Sequence, residues 1–211
     1  MPEWIEAVAV HRTNIYCKKG EVILSEGDEV KGIYFLYSGK VKVHKHWDKD
    51  KELIVRFAKP GDIVGHRGFG KTNIYPISAT ALENSTLCFI EVDFFKSSLK
   101  VNVNFMYDLM MFYAEELQES EKRMRNLAHM PVKGRIAHTL LYLREKFGVT
   151  RDGYIDITIS RQDIASFAGT AYETAFRAIS ELGEEGLLLL TGKNILLKDI
   201  TALEKIISDV P

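Results

Sequence analysis

The stretch SRQDIASFAGTAYETAFRAISELGEEGL, residues 160–187, constrains the fold more than any other part of this chain. Ser160 stands where an N-cap hydroxyl accepts from an orphan backbone N–H of a first helical turn. Ile164 and Ala168 lie four apart and share a face, and Ala165 is small where a second helix must cross closely. Gly169 follows, where a positive φ is cheap. Thr170 or Ala171 then restarts a helix with Ala175, Ala178, Ile179 and Leu182 inward, and Gly183 or Gly186 ends it. Its other face carries Tyr172, Glu173, Phe176 and Arg177. This is the layout of a helix-turn-helix DNA reader. A glutamate can accept from a cytosine amino group and an arginine can bond guanine bidentately. A surface Glu173–Arg177 ion pair on an ordinary two-helix hairpin would give the same spacing.

Charge limits how such a reader can work. Lys and Arg number 28 against 29 Asp and Glu, a net charge of -1, so bulk charge gives DNA binding no support. Any footprint is local, with Arg161, Lys133, Arg135, Arg177 and Lys193 as its candidate cations. Tight binding then calls for a dimer. The 211 residues suit one large or two small domains. Cys17 and Cys88 are too few and too far apart for an iron–sulfur site, a zinc site or a disulfide framework. No apolar run reaches membrane-spanning length, and Met1–Val10 lacks the pattern of a leader. The expectation is a cytoplasmic protein with no membrane partner.

The chain reads as an α+β protein in three segments. Residues 1–101 form the first segment; from Tyr16 to about Asp93 it holds short strand-like runs, EVILSEGDEV, GIYFLYSGKVKVHKH, LIVRFAKPGDIVG and STLCFIEV, separated by turns at 26–28, 38–39, Asp48-Lys49-Asp50 and 60–62, with no helical periodicity until Asp93. Such spacing indicates an all-β sandwich or barrel. Residues 102–130 contain no Gly and no Pro before Pro131; Asn102 or Asn104 caps a helix with Phe105, Leu109, Phe112, Leu117, Met124 and Leu127 as its apolar stripe. A coiled-coil-like dimer seam explains a helix of that length, since a helix-turn-helix reads two half-sites through a twofold. Met130-Pro131 marks a hinge. Residues 131–211 hold a helix (Ile136, Leu140, Leu141 and Leu143 inward, Gly148 at its end), a strand YIDITIS, the two-helix reader, a hairpin around Thr191-Gly192-Lys193-Asn194 and a closing helix. A helix-turn-helix followed by a hairpin is the winged variant, and Lys193 at the wing tip would meet phosphate.

Taken in order, GEVILSEGDEVKGIYFLYSGKVKV, KPGDIVG, ENSTLCFIEVDFF, the long helix ending in NLA, KGRIAHTLL and the 160–187 stretch resemble the CRP/FNR superfamily of bacterial transcription regulators over nearly the whole chain. The resemblance implies a β-roll (jelly-roll-like) sensor domain, a dimerisation helix and a winged helix-turn-helix. It implies a homodimer on a palindromic site, acting through RNA polymerase. It places base reading on Glu173 and Arg177, phosphate contacts on Ser160, Arg161 and Gln162, and the start of the recognition helix on Ala171 and Tyr172. Where Tyr172 stands, cyclic-AMP-responsive relatives usually have an arginine. The expectation is that Glu173 and Arg177 read a central G·C step. Phe176 either touches a thymine methyl or packs on a neighbouring helix.

The sensor departs further from the family pattern G-E-x-[AG]-L…R-[ST]-A, in which the glutamate holds the ribose and the arginine the cyclic phosphate. Here GHRGFGKTNIYPISATA keeps Gly65 and Gly68 but has His66 for the glutamate, and Tyr75-Pro76 or Pro76-Ile77 for Arg-Ser. No arginine stands between Arg67 and Arg123. A phosphate without it forfeits a charge-assisted pair of about 1.5–3 kcal/mol. Arg67 or Lys71 could substitute in different geometry, and Ser120 keeps a hydroxyl where a family helix residue touches the base. The reading disfavours cAMP and leaves an unidentified small-molecule effector near His66, Arg67, Tyr75 and Ser120. Haem would need axial ligands, for which His44, His46, His66 and Cys17 are available; a solvent-facing strand explains the 44/46 alternation more simply. His129 and His138 read as structural. With no nucleophile–base pair, metal-ligand cluster, Walker loop or GxGxxG, the chain reads as no enzyme. The rival function is a ligand-binding module whose winged domain contacts proteins.

Overall fold

The structure, a computed structural model, describes residues 2–48 and 51–208, with side chains from residue 6 onward. The chain forms two compact units, Met1–Glu116 and Leu117–Pro211. The expected turn at Asp48-Lys49-Asp50 falls, at positions 49 and 50, outside the described residues.

The first unit opens with helix α1 (Pro2–His11), which precedes the strand-like runs; His11 stacks on Phe94 at 4.2 Å. Strands β1 (Arg12–Cys17), β2 (Val22–Leu24), β3 (Gly32–Ser38), β4 (Val41–Asp48), β5 (Lys51–Ala58), β6 (Ile63–Val64), β7 (Ser78–Ala81) and β8 (Ser85–Glu91) follow. They form two antiparallel sheets, ordered β1-β8-β3-β6 and β2-β7-β4-β5. Apart from the β4–β5 hairpin, sequence neighbours are split between sheets, as in a β-roll. Leu36, Val41, Val64 and Leu87 fill the space between the sheets; full burial of such side chains contributes about 1.5–3 kcal/mol each. A second apolar cluster joins Ile33, Ile90, Phe95 and Leu109. It draws Phe95 from helix α2 (Val92–Val101) and Leu109 from helix α3 (Val103–His129). Asn102 caps α3, its side-chain oxygen accepting from Phe105 N at 3.0 Å.

In the second unit helix α4 (Val132–Phe147) starts after Pro131 and stops at Gly148. Ile136, Leu140 and Leu143 are buried and Leu141 is half-buried. Helices α5 (Arg161–Ala168) and α6 (Tyr172–Glu184), strands β9 (Leu188–Thr191) and β10 (Asn194–Leu197) and helix α7 (Ile200–Ser208) complete it. The expected strand YIDITIS is corrected. Ile155, Ile157 and Ile159 alternate inward, but only isolated bridges, Val149↔Ile155 and Tyr154↔Leu196, form. The period-2 pattern is real; a continuous ladder partner is missing.

Gly169 sets the turn between α5 and α6 with φ +64°, and a Cβ there would come within 2.3 Å of the Leu127 Cδ2 methyl. That methyl ends a flexible side chain, so the left-handed backbone is the firmer constraint. Gly169→Ala is expected to cost about 1–3 kcal/mol, read as a lower urea midpoint at unchanged m-value. An unmoved midpoint would show that this turn relaxes freely.

Candidate DNA interface and sensor pocket

The reader helices are built from local rules. Ser160 closes a capping box on α5: its hydroxyl accepts from Asp163 N at 3.0 Å, and Asp163 Oδ2 accepts from Ser160 N at 3.1 Å. Past Gly169, Ala171 is the N-cap of α6, which buries Ala175, Ala178, Ile179 and Leu182. Tyr172, Glu173, Phe176 and Arg177 therefore face solvent together. Tyr172 and Phe176 stack, centroids 6.1 Å apart, as a one-turn aromatic pair. The Glu173–Arg177 ion pair of the ordinary-hairpin reading does not form among the described residues, so both groups remain available. Gln162 is exposed and Thr170 half-buried.

The candidate cations divide. Lys193 is exposed in the tight turn between β9 and β10. Arg161 Nη2 donates to Gly192 O at 3.1 Å, tying the start of α5 to the wing tip. Burial disfavours its charged form, and Nη1 is buried with no hydrogen-bond acceptor among the described residues. It braces the wing first. Two further candidates already have partners within the unit. Arg135 is spent inside the unit, donating to Ala168 O at 2.9 Å, Met130 O at 2.7 Å and Gly169 O at 3.4 Å; these carbonyls end α3 and α5 and need donors. Lys133 pairs with Glu185 at 2.5 Å.

The tentative effector residues are also redistributed. Gly65 has φ +89° and opens a 3-10 turn at His66–Gly68. Tyr75 packs on both glycines; a Cβ on Gly68 would lie 3.0 Å from its ring, and one on Gly65 3.2 Å. The Tyr75 hydroxyl donates to Gly32 O at 2.7 Å. An aromatic ring thus fills the space against Gly65 and Gly68. Pro76 is exposed, Lys71 lies at the surface, and Ser120 belongs to the second unit. Tyr75 instead walls a polar cavity of about 480 Å³ with Asp28, Glu29, Lys31 and Tyr34. Burial pushes the Tyr34 hydroxyl up to about 12.

Arg67 is not free for an anion. It donates to Glu116 Oε2 at 3.0 Å, while Arg56 reaches Oε1 at 3.2 Å and His66 Nε2 lies 3.7 Å from Oε2. Arg56 also donates to Ile63 O at 2.6 Å. Tyr113 OH donates to His66 O at 2.7 Å, and the His66 ring meets Phe112 edge-on. Sequence reasoning missed this hub. Its one signal is Arg56, a charge within the apolar run LIVRFA.

Burial holds the His66 imidazole below its ordinary 6.5 despite Glu116. His138, in the other unit, is lowered by burial as well. Burial alone would raise Glu116, but His66, Arg56 and Arg67 outweigh it and hold the carboxyl low. The signs agree. The unfolded chain protonates these histidines first as pH falls, so their stabilisation is complete above about 6.5 and declines below it; that of Glu116 declines below about 4.5. The urea midpoint is expected to fall between pH 8 and 5, and a flat profile would refute this assignment.

The haem candidates scatter. Cys17 is buried in the inter-sheet core and His66 is enclosed as above. His44 and His46 are not a solvent-facing pair; His44 is buried and only His46 is exposed.

The α3 stripe separates into two. Leu109 is buried, and Phe105 and Phe112 pack on the first unit. Val103, Met106, Met110, Tyr113, Leu117 and Met124 are exposed. Their steps of three, four, three, four and seven follow a heptad seam.

Two family models match the chain: the cyclic nucleotide-binding domain over residues 15–102 and the Crp-like helix-turn-helix domain over residues 134–206. The chain is 24% identical over 206 residues to the CRP-like cAMP-activated global transcriptional regulator of Mycobacterium tuberculosis, covering 97% of this chain and 92% of that protein. It is 28% identical over 201 residues to the anaerobic regulatory protein of Bacillus subtilis, covering 93% and 83%. The fold is similar to that of FixK2 from Bradyrhizobium japonicum, with a TM-score of 0.82 at 24% identity, covering 92% of this chain and 96% of that one.

Proposed function

Because the chain belongs to the CRP/FNR superfamily of DNA-binding transcription regulators, we propose that it reads a palindromic duplex site as a homodimer, through the 171–183 helix, under an effector held in the β-roll. The observation that carries this is the outward face of α6, where Glu173 and Arg177 stand exposed above a fully buried stripe. Ser160, Gln162, Thr170 and Ala171 lie at the helix starts, where backbone N–H groups favour phosphate. Arg161 and Lys193 supply charge at the wing. The exposed heptad row on α3 supports dimerisation, since an apolar seam of that period buries itself against a copy. Contact with RNA polymerase is part of the same reading.

The effector reading follows Tyr75. The Mycobacterium tuberculosis relative is named as cAMP-activated; we do not carry that over. The ring of Tyr75 occupies the ground against Gly65 and Gly68, and Arg67 is committed to Glu116. The polar cavity beside Tyr34 and Tyr75 has the volume of a small-molecule site. Saturating cAMP is expected to change DNA affinity less than twofold in a salt-controlled titration; a tenfold rise would refute this.

Selection of bound sites from a random DNA library by the purified protein, without added effector, tests the main reading. Enrichment of a palindrome with G·C steps supports it. No enrichment, with or without the small molecules screened, overturns it in favour of a module for protein contacts.

A further inference from the structure

The β4–β5 hairpin carries a side-chain cluster that DNA reading does not use. We propose that His44, His46 and Glu52 form a site for one divalent transition-metal ion of the Zn²⁺, Ni²⁺ or Cu²⁺ type. The reading of no metal-ligand cluster in the sequence does not see these three residues together, because the third ligand arrives from across a hairpin. His44 and His46 alternate along β4 and share a face. His46 pairs directly with Glu52 on β5, while His44 pairs with Ile54, so both rings converge on one carboxylate.

The distances suit an ion. One ligand atom from each residue lies within 4.8 Å of the other two. His44 Nδ1 is 3.1 Å and His46 Nε2 4.0 Å from Glu52 Oε2, and the two rings meet edge-on at 5.0 Å. Two ligands on one tetrahedral ion, with bonds of about 2.0–2.2 Å, lie about 3.4 Å apart, between those two values. A small rotation of the exposed His46 completes the set.

Surrounding groups orient the ligands as they do in metal sites. His44 Nε2 lies 2.9 Å from Thr80 Oγ1 on β7; with Nε2–H donating to that hydroxyl, Nδ1 keeps its lone pair toward Glu52. Lys42 Nζ donates to Glu52 Oε1 at 2.7 Å, leaving Oε2 for the ion. An imidazole pair with one carboxylate selects zinc, nickel or copper over magnesium or calcium. His46, half exposed, provides the open side, and three protein ligands leave a position for water or a fourth group.

The test is calorimetric titration of metal-free full-length protein with ZnCl₂ and NiCl₂. Wild type is expected to take one equivalent per protomer, and His46→Ala and Glu52→Gln to bind at least roughly tenfold more weakly. His46 is solvent-facing, so its variant should keep the wild-type circular dichroism and urea midpoint. A Trp4→Phe background leaves Trp47, 88% exposed beside His46, as a fluorescence reporter that Cu²⁺ should quench. No binding by wild type, or equal binding by wild type and His46→Ala, overturns the proposal. Neither outcome bears on DNA selection, which uses the other unit.

Discussion

Replacing Glu173 and Arg177 together with alanine is expected to abolish sequence preference while leaving the fold and residual DNA binding in place. Both side chains are exposed, so stability should stay within about 0.5 kcal/mol of wild type. A good base contact contributes about 1–3 kcal/mol of discrimination. Losing two per protomer removes about 2–6 kcal/mol per half-site, roughly 30-fold to 20,000-fold per half-site in the ratio of specific to random-DNA affinity. Binding to phosphate does not depend on these two groups, so random-DNA affinity and its salt slope should persist. Lys193→Ala provides the contrast. It should weaken all sequences alike and reduce the salt slope by about 1 per protomer. Competition binding at two salt concentrations separates the two patterns. A double variant that still enriches the same palindrome would remove Glu173 and Arg177 from base reading.

These residues were legible because a helix-turn-helix is specified by local chemistry. Ser160, Gly169 and the inner stripe of α6 each act within a few residues of themselves, and the folded chain uses all of them as the spacing indicates. Sensor features depend on distant partners and were not legible. Arg56 and Arg67 meet Glu116 from positions 60 and 49 residues away, and no periodicity encodes that. Arg135 looked like a DNA contact because a basic residue near the reader carries no mark of the carbonyls it will satisfy. His44 and His46 show the same limit at smaller scale. Alternation placed them on one face correctly. Their different burial comes from β7, which pairs with β4 only from Val41 to His44 and stops short of His46. Helix α1 was not legible because PEWIEAVAVH is only ten residues long, too short for a period of 3.6 to stand out from one of 2.

Glu116→Ala is expected to be strongly destabilising for a single polar change in the first unit. Arg56 is only 6% exposed, and Glu116 is the carboxylate within hydrogen-bond reach of it, with Asp62 farther off at 3.9 Å. Removing one member of a buried ion pair costs about 3–5 kcal/mol, because the surviving charge stays desolvated. The Arg56–Ile63 carbonyl bond offsets part of this, which places the expected loss near the lower figure. Glu116→Gln keeps an acceptor and should lose less. If an uncompensated charge is the cause, Arg56→Met combined with Glu116→Leu should recover much of the loss, giving a large coupling in a double-mutant cycle. Urea unfolding at pH 7.5 measures wild type, Glu116→Ala, Glu116→Gln, the double variant and its two single substitutions, and repeating it below pH 4.5 adds a second check. The advantage of wild type over Glu116→Ala should shrink there, because the unfolded chain protonates Glu116 while the folded chain holds it ionised. A loss under about 1 kcal/mol, or strict additivity, would mean that Ile63 and Asp62 already satisfy Arg56. The hub would then owe its stability to Phe112 and Tyr113 packing on His66.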